Sequence, residues 1–296
     1  IEDGFSAFAS DMNIEINIKD LTNIDFNSNL KLPLHLNIYK FVMDKYNNKE
    51  YISSRVITYV DSPVGSGLGS SSALVVSMLK AWSELLNLGL DEYTISKDAI
   101  LIERVITGFK GGHQDQYAAS FGGFNFIEFR KENTIVHPLK VKNWFSCELE
   151  SSIVMHFTGI SRSSEEIIKD QININKEKNK LKLNLLLKLR DNAYKMKNAL
   201  LQNSIQEIKN LLIESWEIKY KTSDKIQTKF IKELIDFGIK NGAEAAKVSG
   251  AGGGGFIFFV TQPTNAIYLR NKLFEKNLNT FTVSFSQESS QAWTIN

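Results

Sequence analysis

Asp115 stands in "GGHQDQ", flanked by two glycines and two amides, and Glu103 precedes it by twelve residues. A carboxylate in such company is suited to orienting a hydroxyl or taking its proton, a contribution of about 10²- to 10⁴-fold when the base is well placed. Twelve residues of separation can bring a metal-binding carboxylate and a base to opposite sides of one phosphate. Glu103 followed by Arg104 is equally an ordinary charged pair on a helix surface. The residues alone leave both readings open.

The stretch "PVGSGLGSSSALVVSMLKAW", residues 63–82, offers a place for such a phosphate. Gly65, Gly67 and Gly69 allow positive φ and let a ligand approach main-chain N–H groups that a Cβ would shield. From Ser71 onward, Leu74, Val75, Met78, Leu79, Trp82, Leu85 and Leu86 keep the spacing of one buried helix face, until Gly89 ends it. The helix N-terminus therefore points at the loop, and its N–H groups and positive dipole end favour an anion. The serines there supply caps and hydroxyl ligands. A Gly/Ser turn ahead of an ordinarily capped helix is the plainer alternative.

A second glycine loop, residues 249–255, satisfies G-x-G-x-x-G from Gly250 to Gly255. That fingerprint must follow a strand and open a helix, whereas here a helix is expected before it and the strand "FIFFV" after it. A dinucleotide fold is rejected on that order. No G-x-x-x-x-G-K-[ST] occurs in the chain. A nucleoside triphosphate would then be held by backbone N–H groups, a helix terminus and a metal ion.

Composition narrows the partner. The 296 residues are 43% hydrophobic and 23% charged, ordinary for a globular protein of one large or two smaller domains. Thirty-five basic residues against 33 acidic give a net charge of +2, so nothing argues for nucleic acid or a membrane surface, and a small-molecule partner is expected. The single Cys147 excludes an intrachain disulfide and a cysteine-based metal cluster; it reads as a small buried hydrophobe in a reducing compartment. No apolar run approaches the roughly 20 residues that span a bilayer and no signal peptide is visible, so a cytoplasmic protein is expected. The start at Ile1 rather than Met reads as a chain with residues upstream.

Around these motifs the sequence predicts strands at "NIEINI" and "RVITYV" and a helix at "LPLHLNIYKFVMDKY". A second helix should run from an Asp91 cap to about Thr107, with Gly108 as its stop. "FNFIEF" and "TIVHPL" read as a hairpin turned by "RKEN". "IVMHFTG" is a strand, residues 163–222 form two or more amphipathic helices, and Asp224 caps a helix that Asn241 and Gly242 close near Lys240. His113 reads as a polar loop residue, since no second His or Cys stands at ligand spacing. The domain division falls at residues 1–147 and 148–296.

"PVGSGLGSSSALVV" resembles the second motif of the GHMP kinases, which include galactokinase, homoserine kinase, mevalonate kinase and phosphomevalonate kinase; "KVSGAGGGGFIFFV" resembles their third. "ERVITGFKGGHQDQYAASFGGFNFIEF" is similar to the segment between them. The resemblance covers the chain from about residue 50 onward. Ser72 replaces the usual alanine after the serine pair, and the family's first glycine-rich motif has no counterpart in residues 1–60.

The resemblance implies an α+β, two-domain GHMP kinase fold with the active site in the interdomain cleft. It implies ATP bound by Pro63, Gly65, Ser66, Gly67, Leu68, Gly69, Ser70 and Ser71, with Mg²⁺ on Ser71 and Glu103. Asp115 becomes the catalytic residue, and Ser249, Gly250, Ala251, Gly252 and Gly253 the phosphate or substrate loop. Within the family the likeness is to kinases that phosphorylate the anomeric hydroxyl of a sugar phosphate, in a monomer or homodimer. Other sugar kinases of the family, fucokinase-like or N-acetylhexosamine 1-kinase-like, are the alternatives, as is a non-catalytic ligand sensor, against which Glu103 and Asp115 speak. Arg162 and Lys219 are candidates for the sugar's phosphate, or else surface cations of a lysine-rich helical region.

Overall fold

The computed structural model describes residues 4–19, 31–63, 65–160 and 180–295, with side chains from 183 in the last stretch. The chain forms two compact units: Ile1–Pro63 with Gly69–Gly122 and Glu288–Asn296, and Val64–Leu68 with Gly123–Gln287.

In the first unit, β1 (Phe5–Ala9) is the middle strand of a three-stranded sheet, antiparallel to β2 (Ile14–Ile18) and parallel to β3 (Ser54–Thr58). Parallel neighbours need a crossover, which α1 (Pro33–Tyr46) provides, with its proline at the first turn where a missing N–H does no harm. "FSAFA" carries no clear strand signal, yet it buries Phe5, Ala7 and Ala9 on one face and stacks Phe5 on Tyr39 at 4.1 Å. Helix α2 (Ser70–Leu85) lays Val75, Met78, Leu79 and Trp82 into the same core, as their spacing predicts. Leu85, at its end, is exposed.

Helix α3 (Glu92–Ile100) starts where expected, with the Asp91 carboxylate accepting from the Thr94 N–H at 2.8 Å. It does not continue to Thr107 as an α-helix. Residues Leu101–Ile106 wind as a π-helix, closed by Thr107 N–H donating to the Ile102 carbonyl five residues back. After a loop comes α4 (Gln114–Phe121).

The second unit opens with the expected hairpin, β4 (Asn125–Phe129) against β5 (Thr134–Pro138). Helix α5 (Asn143–Ser152), unforeseen in the sequence, buries Phe145 and Leu149 against Ala199, Ile208 and Leu211. Cys147 lies on its outward face and is exposed, not buried as expected. This packing ties residues 123–152 to the second unit, so the units change over at Gly122 and Gly123, a different place from the 147/148 division.

A four-stranded antiparallel sheet follows, in the order β7-β8-β6-β9, from β6 (Ile153–Phe157), β7 (Ala245–Val248), β8 (Phe256–Val260) and β9 (Thr280–Phe281). Among the described residues, four further helices belong to the unit: α6 (Lys180–Leu201), α7 (Ile205–Tyr220), α8 (Lys229–Lys240) and α9 (Ala266–Phe274). Thr228, not Asp224, caps α8, its hydroxyl accepting from Ile231 N–H at 3.3 Å; Asn241 closes the helix as predicted. The segment before the second glycine loop is a strand, β7, rather than a helix. The dinucleotide fingerprint still fails, because the loop joins two antiparallel strands and opens no helix.

Candidate active site

Glu103 is fully buried, so it is not a helix-surface residue. It lies in the π-helical stretch, where adjacent Ile102 and Glu103 both turn inward while Val105 and Ile106 are exposed. Its carboxylate collects four donors. Ser71 Oγ donates to Oε1 at 2.7 Å, Ser72 Oγ to Oε2 at 2.8 Å and Gln116 Nε2 to Oε2 at 2.5 Å. The Arg104 guanidinium stands 3.2 Å from Oε1. A buried carboxylate is tolerated only when paired and hydrogen-bonded in this way.

The donors come from three places in the fold, α2, the π-helical stretch and α4. The two serines belong to the first turn of α2 and Gln116 to the first turn of α4. Arg104 also donates Nε–H to the Gly112 carbonyl at 3.0 Å. A Cβ on Gly111 would lie 2.6 Å from the Arg104 guanidinium carbon, so glycine at that position lets the loop lie close against the arginine.

Gln116 is pulled inward by Glu103, and Asp115, its chain neighbour, is turned to the N-terminus of α2. The Asp115 side chain lies against Gly69, where an added Cβ would meet Asp115 Cβ and Cγ at 3.1 Å. Gly69 is the N-cap residue, with φ of 78°, a conformation that favours glycine. No side chain caps this helix; Ser71 and Ser72, expected as caps or ligands, give their hydroxyls to Glu103 instead. Asp115 is partly exposed and accepts from Gln114 Nε2 at 3.3 Å. The first unit thus gathers Ser70, Ser71, Glu103 and Asp115 at the positive end of a sixteen-residue helix.

Ser71 Oγ and Glu103 Oε1 are both hard oxygens, the donor type that Mg²⁺ takes. Among the described residues no three His, Cys, Asp or Glu side chains form a metal-binding cluster. A cation held here would draw its remaining ligands from water and phosphate, as Mg²⁺ commonly does. His113, immediately before α4, belongs to no such cluster.

In the second unit the two glycine loops lie on each other. Ser249 Oγ donates to the Gly67 carbonyl at 2.6 Å, and Phe256 N–H to the Ser66 carbonyl at 3.1 Å. A Cβ on Gly250 would stand 2.8 Å from the Gly67 oxygen, and one on Gly255 2.4 Å from the Ser66 oxygen. Close approach of two main chains, which the sequence did not reveal, is one reason for these glycines. Lys219 reaches the same loop and donates to the Gly250 carbonyl. Burial, then the charge of Lys247, lowers its pKa from 10.5 to about 8, so it is no ordinary surface cation. Arg162 lies outside the described residues.

The GHMP kinases N terminal domain matches residues 34–123, and the GHMP kinases C terminal domain residues 196–279. A D-glycero-alpha-D-manno-heptose 7-phosphate kinase of Campylobacter jejuni is 39% identical over 266 residues, 90% of this chain and 78% of that protein. A crystal structure of a D-glycero-D-manno-heptose 1-phosphate kinase from Bacteriodes thetaiotaomicron superposes with a TM-score of 0.77 at 33% identity, covering 99% of this chain and 83% of the other. Mevalonate kinase of Pyrococcus furiosus is 30% identical over 71% of this chain and 60% of its own length. The chain belongs to the GHMP kinases.

Sequence reasoning missed Ser72, Gln116 and Arg104 as partners of Glu103. Ser72 had one signal, its departure from the family's alanine; the other two had none beyond adjacency to the carboxylates.

Two expectations follow. Ser72→Ala removes a buried donor to a carboxylate, a bond worth roughly 1.5–3 kcal/mol. Urea denaturation should show a loss of that size, and unchanged stability would mean that Ser72 contributes nothing to holding Glu103. For Lys219, the folded form loses its proton near pH 8 and the unfolded lysine near 10.5. Between these values the unfolded chain binds more protons, so the burial penalty present in full below about pH 8 is relieved as pH rises. The stability of the wild type relative to Lys219→Met should therefore increase from pH 7.5 to pH 9.5, and a flat or falling difference would contradict the shift.

Proposed function

We propose that this chain is an ATP-dependent sugar-phosphate kinase that phosphorylates the anomeric hydroxyl of D-glycero-α-D-manno-heptose 7-phosphate, giving the 1,7-bisphosphate for nucleotide-activated heptose biosynthesis. The observation that carries the reading is the seating of Asp115 against the Gly69 N-cap of α2, beside a Glu103 carboxylate anchored by Ser71. The name of the 39% identical relative supplies the substrate.

In this reading Gly65, Ser66, Gly67, Leu68, Gly69, Ser70 and Ser71 hold the ATP phosphates through main-chain N–H groups and the helix terminus, and Pro63, which has no N–H to give, borders the ATP. Ser249, Gly250, Ala251, Gly252 and Gly253, of which Ser249 bonds the Gly67 carbonyl, are assigned as the phosphate or substrate loop. Ser71 and Glu103 would hold Mg²⁺, which neutralises charge on the phosphates when bound. Asp115 positions the acceptor hydroxyl and takes its proton. Little covalent chemistry is then asked of the protein, and positioning with charge neutralisation supplies most of the rate. Lys219 and Arg162 are assigned to the substrate phosphate. We assign the enzyme to the cytoplasm. Among the described residues no helix is long and apolar enough to cross a membrane.

The names of the two heptose-phosphate relatives differ in the carbon that carries the phosphate. That favours a second reading, in which the acceptor is heptose 1-phosphate and the anomeric position is already occupied. Phosphorus NMR of the product separates them. Incubation of the chain with ATP, magnesium and heptose 7-phosphate should yield a bisphosphate with one new anomeric phosphate. Turnover confined to heptose 1-phosphate, or none with either sugar phosphate, would overturn the first reading.

A further inference from the structure

Three amino groups fasten α7 to the strand and loop beside it. Lys209 Nζ lies 2.8 Å from Glu244 Oε2, Lys247 Nζ lies 3.0 Å from Ser215 Oγ, and Lys219 Nζ donates to the Gly250 carbonyl. The contacts advance together along both partners, so α7 and β7 run in the same direction and the last contact falls on the glycine loop.

The three are not equivalent. Lys209 is fully buried against a carboxylate, a compensated ion pair. Among the described residues, Lys219 and Lys247 have no carboxylate within ion-pair distance, and each is held by a neutral oxygen. Ser215 and Lys219 are one turn apart on one face of α7, which brings the Lys247 ammonium beside that of Lys219. Burial lowers the pKa of both, and the charge of Lys247 contributes to the lowering at Lys219. An ammonium has three donors, so each retains two after its neutral contact. Two partly buried like charges without a counter-ion oppose folding; a dianion placed between them would remove the opposition. A merely structural tie to Ser215 or Gly250 needs a donor but no charge.

We propose that Lys247 and Lys219 form a two-cation site for a phosphate group beside the loop 249–253, with Lys247 as a binding residue that no motif indicated. The proposal deepens the kinase reading and rests on it for the identity of the phosphate, which belongs either to the sugar phosphate or to the nucleotide. Charge recognition of a phosphate by ammonium groups is strong when the site is partly desolvated, and the loop supplies the close approach.

Lys247→Gln is the discriminating variant, because the amide keeps a donor for Ser215 and removes the charge. Binding of inorganic phosphate to the full chain, measured by titration calorimetry, should weaken about tenfold or more in Lys247→Gln and largely recover in Lys247→Arg. Among the kinetic arms, a tenfold rise in KM for heptose 7-phosphate with unchanged ATP Kd identifies the sugar's phosphate. A rise in ATP Kd alone identifies the nucleotide's. Failure of the kinase reading would appear separately, as phosphate binding that depends on Lys247 in a chain that turns over no sugar phosphate. Unchanged phosphate, sugar phosphate and ATP affinities in a folded Lys247→Gln would overturn the proposal and leave Lys247 as a fastener. Should that variant fail to fold, Lys219→Gln is read by the same three affinities with the same outcomes.

Discussion

A carboxylate in a dry interior is the constraint on which the first unit depends. Glu103 has no exposed surface, and an uncompensated charge there would be strongly destabilising. The chain meets the requirement with donors from α2, the π-helical stretch and α4. Each donor can reach only if its element stands in one place. The π-helical winding, Gly69 at the cap and Gly111 beside Arg104 all serve that convergence. The position of Asp115 follows from it, since Gln116 next door is committed to Glu103.

The second unit answers a different constraint, the close approach of two main chains. Gly250 and Gly255 leave no room for a Cβ against the carbonyls of Gly67 and Ser66, and the hydroxyl of Ser249 is bonded to Gly67. The loop 65–68 therefore has a shape set by protein contacts as well as by its own glycines. In the proposed kinase this is useful, because a backbone already shaped loses little freedom when an anion arrives.

Much of the fold could be read from periodicity and punctuation. The apolar stripe of α2, the Asp91 cap, the hairpin and the "FIFFV" strand are local signals, and local physics decided them. The π-helical stretch was illegible because its cause is tertiary: nothing in "LIERVI" shows that the glutamate must face two serines and an amide. Strand β7 is hard to see because it is short and rich in alanine, and α5 because of "NWFSCELESS" only Phe145 and Leu149 enter the core while Trp144 is exposed. At the site, the glycine loops and both carboxylates were visible as motifs. The partners that bury Glu103 were not, since side chains such as Gln116 and Ser72 acquire meaning only from what they touch.

Two neighbouring residues divide the work in the proposed kinase: Gln116 holds Glu103 in place, and Asp115 is the residue we propose for the proton transfer. Asp115→Asn keeps the shape of the side chain against Gly69 while removing its charge and its capacity to accept a proton. A paired measurement of kcat and ATP Kd on the folded variant decides the matter. The account predicts a fall in turnover of about 10²- to 10⁴-fold with nucleotide affinity nearly unchanged. Turnover at the wild-type level would contradict it.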